Sequence, residues 1–433
     1  MTATIFRPHF LRISNAAPFA LAFLAAVHIA IAAPQPAPNL EQRIRGLVLG
    51  SAIGDALGGP IEFQPRESVQ RLSTPPKVWR DGEKFDAPAR QAAATRLRLR
   101  RYDDLRHAPE SYGQWNTNSA PGTITDDTRH KLILLHAMHE ADRKRRWPIA
   151  ARDLARAYVE WPKSRAVVGR PGYEALAHDW LEEYQLSARW LLGERHPDRA
   201  LPPERMWQSL ATCCGQMTLL PLAAVFAGKT EDAYLATYRL GYIDNGIGKD
   251  LNAALIAGLA QALVTPVVPG DHRTSFAPIL DAMRRTDPLR FGKIRWSERA
   301  VDRWLNLAHM FVRDAKGEPA KLFATLEKEF LYTTKWEAQV PYAVIFACLE
   351  IADYDPLAAL QLSLEWGHDT DSYAQLLGAF IGALHGAEMF PTDWRTAVVE
   401  RLKADHGTDL EAESRFLLRL HGLAGKRPMV AAP

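Results

Sequence analysis

Two short runs combine carboxylates with hydroxyls in a way that could hold a hard cation. The first is Thr125-Asp126-Asp127-Thr128, in PGTITDDTRHKLILLHAM. The second is Asp369-Thr370-Asp371-Ser372, in LEWGHDTDSYAQLL. Carboxylate and hydroxyl oxygens are the ligands such cations prefer. Either run alone is also explained by helix capping, with Thr125 as an N-cap and the acids facing the positive end of the helix dipole. Two such runs are more informative. Four carboxylates gathered in a core repel and resist ionisation, and one or two divalent cations would relieve this. No Cys/His spacing for zinc is present, so oxygen ligation points to Mg²⁺, Mn²⁺ or Ca²⁺. Glu62, just past the break that Pro60 imposes in GDALGGPIEF, is a third carboxylate whose loop could reach the same place.

The elements that must position these residues are helical almost throughout from Glu41 onward. Apolar residues recur at three and four, as in Leu132, Leu135 and Met138, or Leu251, Leu255 and Leu259. The expected fold is all-α: one compact multi-helix domain over residues 41–425, with a polar insertion at about 75–118. Within that insertion the basic run from Arg96 to Arg106 is expected to be solvated. Two helices carry a stripe of small residues every fourth position: Gly46, Gly50, Gly54, Gly58, and Ala374, Gly378, Gly382, Gly386. An interior helical Gly costs about 1 kcal/mol relative to Ala, so the stripes need a structural reason. Spacing of four keeps them on one face, where a second backbone could approach closely. A membrane-helix pair is the competing explanation, but Asp55 interrupts the first run.

Composition is that of an ordinary globular protein, with 47% hydrophobic and 24% charged residues among 433. Net charge is +3, with Arg7 and Arg12 contributing two of the positive charges, which gives no electrostatic case for nucleic acid. Arg7 and Arg12, the apolar run 18–31 and the small residues of Ala30-Ile31-Ala32 resemble a signal peptide, residues 1–32, followed by a Pro-rich linker, 33–40. The apolar run is short of the about 20 residues a membrane span needs. Export with cleavage, to periplasm or medium, is therefore expected, with no lasting membrane association. Cys213, Cys214 and Cys348 form no disulfide framework and are expected to be small buried hydrophobes. A monomer is expected.

The segment RIRGLVLGSAIGDALGGPIEF resembles the opening helix of the ADP-ribosylglycohydrolase family. GTITDDT resembles the family's first metal motif, and WGHDTDSYAQLLGAFIGALHGAEMFP its last motif with the helix after it. The resemblance implies a compact all-α fold with two Mg²⁺ ions, or Mn²⁺, at the base of a cleft. Carried over by position, it makes Glu62, Thr125, Asp126, Asp127, Asp369, Asp371 and Ser372 metal ligands, with Ser372 in place of a usual Thr. Glu62, Asp126 and Asp371 become the catalytic candidates. Gly122, Thr123, Gly215, Asn245 and His368 become the substrate-side candidates, His368 replacing a usual Gly.

The implied function is Mg²⁺-dependent hydrolysis of the glycosidic bond of an ADP-ribosylated substrate, either a small molecule or a protein, or of a related ribosyl compound. The departures lie on the substrate side. Cys213-Cys214-Gly215-Gln216-Met217-Thr218 stands where the family often has Asn-Gly-x-x-Met-Arg. Asp244-Asn245 stands where it often has Thr-His. These changes keep two alternatives open: a non-catalytic binding or structural relative, as in lens crystallins, or a hydrolase of another N- or O-glycosyl substrate.

Overall fold

In the computed structural model, residues 37–105, 120–169 and 173–424 are described. The expected signal peptide lies outside them, as do parts of the expected insertion. Nineteen α-helices are found among the described residues, with no strand and a single isolated bridge, Thr212 to Glu337. No helix among these residues is long and apolar enough to cross a membrane.

The fold is organised by its first helix, Leu40–Gly58. Asn39 caps it through a reciprocal box, accepting from the Gln42 amide at 2.9 Å while Gln42 Oε1 accepts from the Asn39 amide at 2.8 Å. The last residues of the expected linker therefore begin the domain. The buried Arg43 then reaches across to the carbonyls of Ala262 and Thr265, ending the helix Gly248–Ala262.

The opening helix packs antiparallel against Thr370–His385, the most extensive helix pair in the molecule. The small-residue stripes meet face to face. A Cβ on Gly46 would strike the carbonyl of Gly382; one on Gly50, that of Gly378; one on Gly54, that of Ala374. Gly58 ends the series against the backbone of Asp371. The stripes therefore serve backbone-to-backbone packing in a protein core. Their pairing brings the end of one helix to the start of the other.

The expected solvated insertion is only partly so. Asp86 caps the helix Ala87–Arg96, which lays Ala93 against the core, and Phe85, Leu97, Tyr102 and Leu105 are buried. Arg96 bonds the buried Glu365 at 2.7 Å. Single apolar anchors separated by Arg side chains give a polar average while each anchor still packs inward.

Candidate metal centre

Three turns converge where the two stripe helices meet. Asp369 and Asp371 open the helix Thr370–His385, and the Thr370 hydroxyl donates to the Gly58 carbonyl at 2.9 Å. Thr125 caps the helix Asp126–Arg143, accepting from the Asp127 amide at 3.2 Å, as its sequence suggested. Glu62 follows the short 3₁₀ turn Gly59–Ile61 and is buried. The Phe63 amide donates to the His368 carbonyl at 2.7 Å, which ties the Glu62 loop to the turn before Asp369.

Carboxylate oxygens of Glu62, Asp369 and Asp371 lie within 4.8 Å of one another, as do those of Asp126, Asp127 and Asp371. Asp371 belongs to both groups. Ser372 Oγ stands 3.3 Å from Asp127 Oδ1, and its amide donates to Asp371 at 3.0 Å. The seven residues carried over as ligands thus occupy one neighbourhood. Burial and mutual charge raise the carboxyls of Asp126, Asp127 and Asp369 above their usual range; burial and Asp55 raise that of Asp371. The Oδ2 atoms of Asp369 and Asp371 are buried without a hydrogen-bond partner. Orphaned carboxylate oxygens in such a group fit a bound cation.

Sequence reasoning missed three charged residues here. Asp55, fully buried, accepts from the amides of Thr125 and Thr128, both at 2.9 Å, and so fixes the first ligand turn. Lys131, one turn beyond Asp127 and also buried, bonds Gln375; its charge favours ionised Asp127. Arg129 favours ionised Asp126 in the same way. The available signal was a lone acid in a Gly/Ala-rich helix and two cations within one turn of an Asp pair, since buried charges need partners.

The substrate-side candidates fare differently. His368 adopts a left-handed backbone, φ 65°, bonds Glu327 at 2.7 Å and packs on Trp366. It borders a cavity of about 350 Å³ shared with Gln64, Arg66, Phe323 and Glu327, beside the Glu62 loop. Gly122, expected to line a phosphate site, is closed on its Cβ side by the backbone of Ala397. The hydroxyl of the buried Thr123 donates to Ala120. Gly215 admits Asp244, whose carboxylate accepts from its amide at 2.7 Å, and a Cβ there would collide with it. Asn245 braces the carbonyls of Pro203 and Met206 at 3.3 Å. Gly122, Gly215 and Asn245 all make scaffold contacts of this kind. Small and amide side chains serve tight turns as readily as ligands.

Among solved structures, an ADP-ribosylglycohydrolase-related protein complex is similar at 16% identity, over 88% of this chain and 99% of that one, with a TM-score of 0.49. No curated protein matches. The sequence profile of the ADP-ribosylglycohydrolase family matches residues 36–427, which include all the described residues and both acidic turns. The chain belongs to the ADP-ribosylglycohydrolase family.

Proposed function

We propose that this chain is a Mg²⁺-dependent hydrolase that cleaves the bond between an ADP-ribose-like ribose and the group attached to it. The observation that carries this reading is the pair of carboxylate groups sharing Asp371. Glu62, Thr125, Asp126, Asp127, Asp369, Asp371 and Ser372 would hold two cations. Fully ionised, the five acids of this set and Asp55 face the cations Arg129 and Lys131. The excess of about four negative charges is what two divalent ions would balance. All-oxygen ligation supports Mg²⁺, with Mn²⁺ the alternative.

When bound, the ions supply Lewis-acid polarisation of the ribose hydroxyls and of a water. The protein's own part is positional and acid–base. Glu62, pinned through Phe63 to His368, hands a proton to the leaving atom or takes one from water. The anomeric C–X bond breaks, water oxygen forms the new bond, and its proton balances the leaving group. The cavity beside His368 would receive the attached group.

The substitutions on the substrate side favour one second reading, a relative that binds without turnover. Thr218, where an Arg is usual, is turned to Tyr158 at 3.2 Å. Calorimetric titration of ADP-ribose, with and without Mg²⁺, tests both. Mg²⁺-dependent binding lost in Asp371→Asn supports the site, and hydrolysis of ADP-ribosylated substrates that fails in Glu62→Gln supports the enzyme. Mg²⁺ binding with no ADP-ribose binding would sink the proposed ligand. The N-terminal sequence supports export with cleavage after Ala32; sequencing the protein recovered outside the cytoplasm would find Ala33 first.

A further inference from the structure

The three most exposed large apolar side chains among the described residues are Tyr332, Trp296 and Leu331, at 97%, 85% and 64%. They belong to two loops at one end of the helix Ala300–Ala315. Trp296 and the half-exposed Ile294 lie in the loop that joins this helix to His272–Arg285. Leu331 and Tyr332 follow the helix Pro319–Glu329. Phe330, just before them, is buried and stacks on Trp304, in the first turns of Ala300–Ala315, with ring centroids 5.5 Å apart. That contact holds the second loop at the end of the helix from which the first emerges.

Both loops are fixed at their bases. The Asp287 carboxylate accepts the amides of Phe291 and Gly292, both at 2.8 Å. The buried Arg299, paired with Asp250 at 2.6 Å, also donates to the carbonyls of Arg284 and Thr286 at 3.1 and 2.9 Å. Lys335 closes the second loop by donating to the carbonyls of Phe330 and Thr333. Leaving an indole, a phenol and branched alkyl groups in water is unfavourable, so a fixed loop that keeps them there points to a partner.

Charge selects that partner. Pro288 to Ser297 carries Arg290, Lys293 and Arg295 and no acid. The neighbouring acids are engaged elsewhere: Asp281 with Arg285, Asp302 with Arg284, and Asp250 with Arg299. Arg295 lies over the Trp296 ring, 4.8 Å from its centroid. The net charge of +3 over the whole chain hides this local excess. Tryptophan and tyrosine flanked by Arg and Lys are the side chains that settle at the boundary of water and lipid. Single side chains on projecting loops suit entry among headgroups better than they suit the closely packed centre of a protein interface.

We propose that loops 287–298 and 331–334 form a docking surface for an anionic phospholipid bilayer. Trp296, Ile294, Leu331 and Tyr332 enter the headgroup layer, and Arg290, Lys293 and Arg295 meet the lipid phosphates. Docking of this kind is peripheral and reversible.

The test titrates the full chain with vesicles of phosphatidylglycerol and phosphatidylcholine in equal parts. The readout is hydrogen exchange at 287–298 and 331–334, which separates this contact from any made by the apolar N-terminal run. EDTA is present, so no cation bridges protein and lipid and the outcome is independent of Mg²⁺ binding. Protection of both loops is expected in the wild-type chain, and little with phosphatidylcholine alone. Each cation at such a surface strengthens binding about fivefold, so Arg290→Gln/Lys293→Gln/Arg295→Gln should need about a hundredfold more lipid. Trp296→Ser/Tyr332→Ser should need at least about tenfold more. The wild-type protection pattern stands even where a variant does not fold. Protection confined to other segments, equal protection by phosphatidylcholine alone, or an unchanged midpoint in the folded charge variant overturns the proposal. So does protection of the loops by a polyanion such as heparin with none from vesicles.

Discussion

Asp55 Oδ1 accepts the backbone amide of Thr125 at 2.9 Å across 70 residues of sequence. Its other oxygen takes the amide of Thr128, so one carboxylate fixes the turn bearing Asp126 and Asp127. In Asp55→Asn one of the two acceptors becomes an N–H facing another N–H. We predict a stability loss of about 1–3 kcal/mol, from the unmet buried amide, together with weaker Mg²⁺ binding. Chemical denaturation and calorimetry measure the two. Unchanged Mg²⁺ affinity in a folded variant would remove Asp55 from ligand positioning.

The glycine stripes make a contrast between two similar substitutions. Gly46→Ala places a methyl on the Gly382 carbonyl, and neither backbone can move without its helix. A loss of about 1–3 kcal/mol or more is expected, as for overpacked cores. Gly422→Ala, in the last helix, Leu410–Ala424, has open space around it and should instead gain about 0.5–1 kcal/mol. Thermal melts of both variants check the signs. A neutral Gly46→Ala would mean the helix pair is looser than described.

Metal binding should depend on pH through the ligands themselves. Burial and the neighbouring acids push Asp126 up to about 7 and Asp371 to about 6. As pH falls through these values the free protein takes up protons that a cation must displace, so affinity drops. Without a cation, the raised values make the ionised fold the less stable form as pH rises through the same range. The rise in melting temperature on adding Mg²⁺ should thus be larger at pH 8 than at pH 5. An equal rise at both would argue that these carboxylates do not bind the ion.

His130 acts in the opposite direction on stability. It is buried beside Tyr158, bonded at 2.9 Å, and burial lowers its imidazole from 6.5 to about 3. Below about 6.5 the unfolded chain takes a proton that the folded chain refuses. Stability present above that pH is therefore lost as pH falls, by about 1.4 kcal/mol per pH unit within the window. Urea unfolding at pH 7 and pH 5 should show a shallower acid loss in His130→Phe than in the parent. Identical slopes would refute the assignment.

The helical class and the meaning of the glycine stripes were legible because spacing of four exposes a face directly. The pairing of Gly46 with Gly382 was not, since register between distant helices leaves no local mark. The two acidic turns were legible as acid–hydroxyl runs at helix starts. Asp55 was not, because its partners are backbone amides, which every residue carries. Leu97 and Leu105 were hidden by the arginines around them. Gly122 and Asn245 show that a residue type suited to a ligand also serves the packing of a turn.

The contact of Gly46 with Gly382 and of Gly58 with Asp371 has an evolutionary consequence. The spacing of the opening helix from the Asp369–Asp371 turn is set by main chain on main chain, and the Asp55 carboxylate on that helix holds the Thr125 turn. Changes at a position such as His368, which borders the neighbouring cavity, leave that spacing untouched. A scaffold built this way can change the side chains around its cavity while keeping the acidic cluster in register.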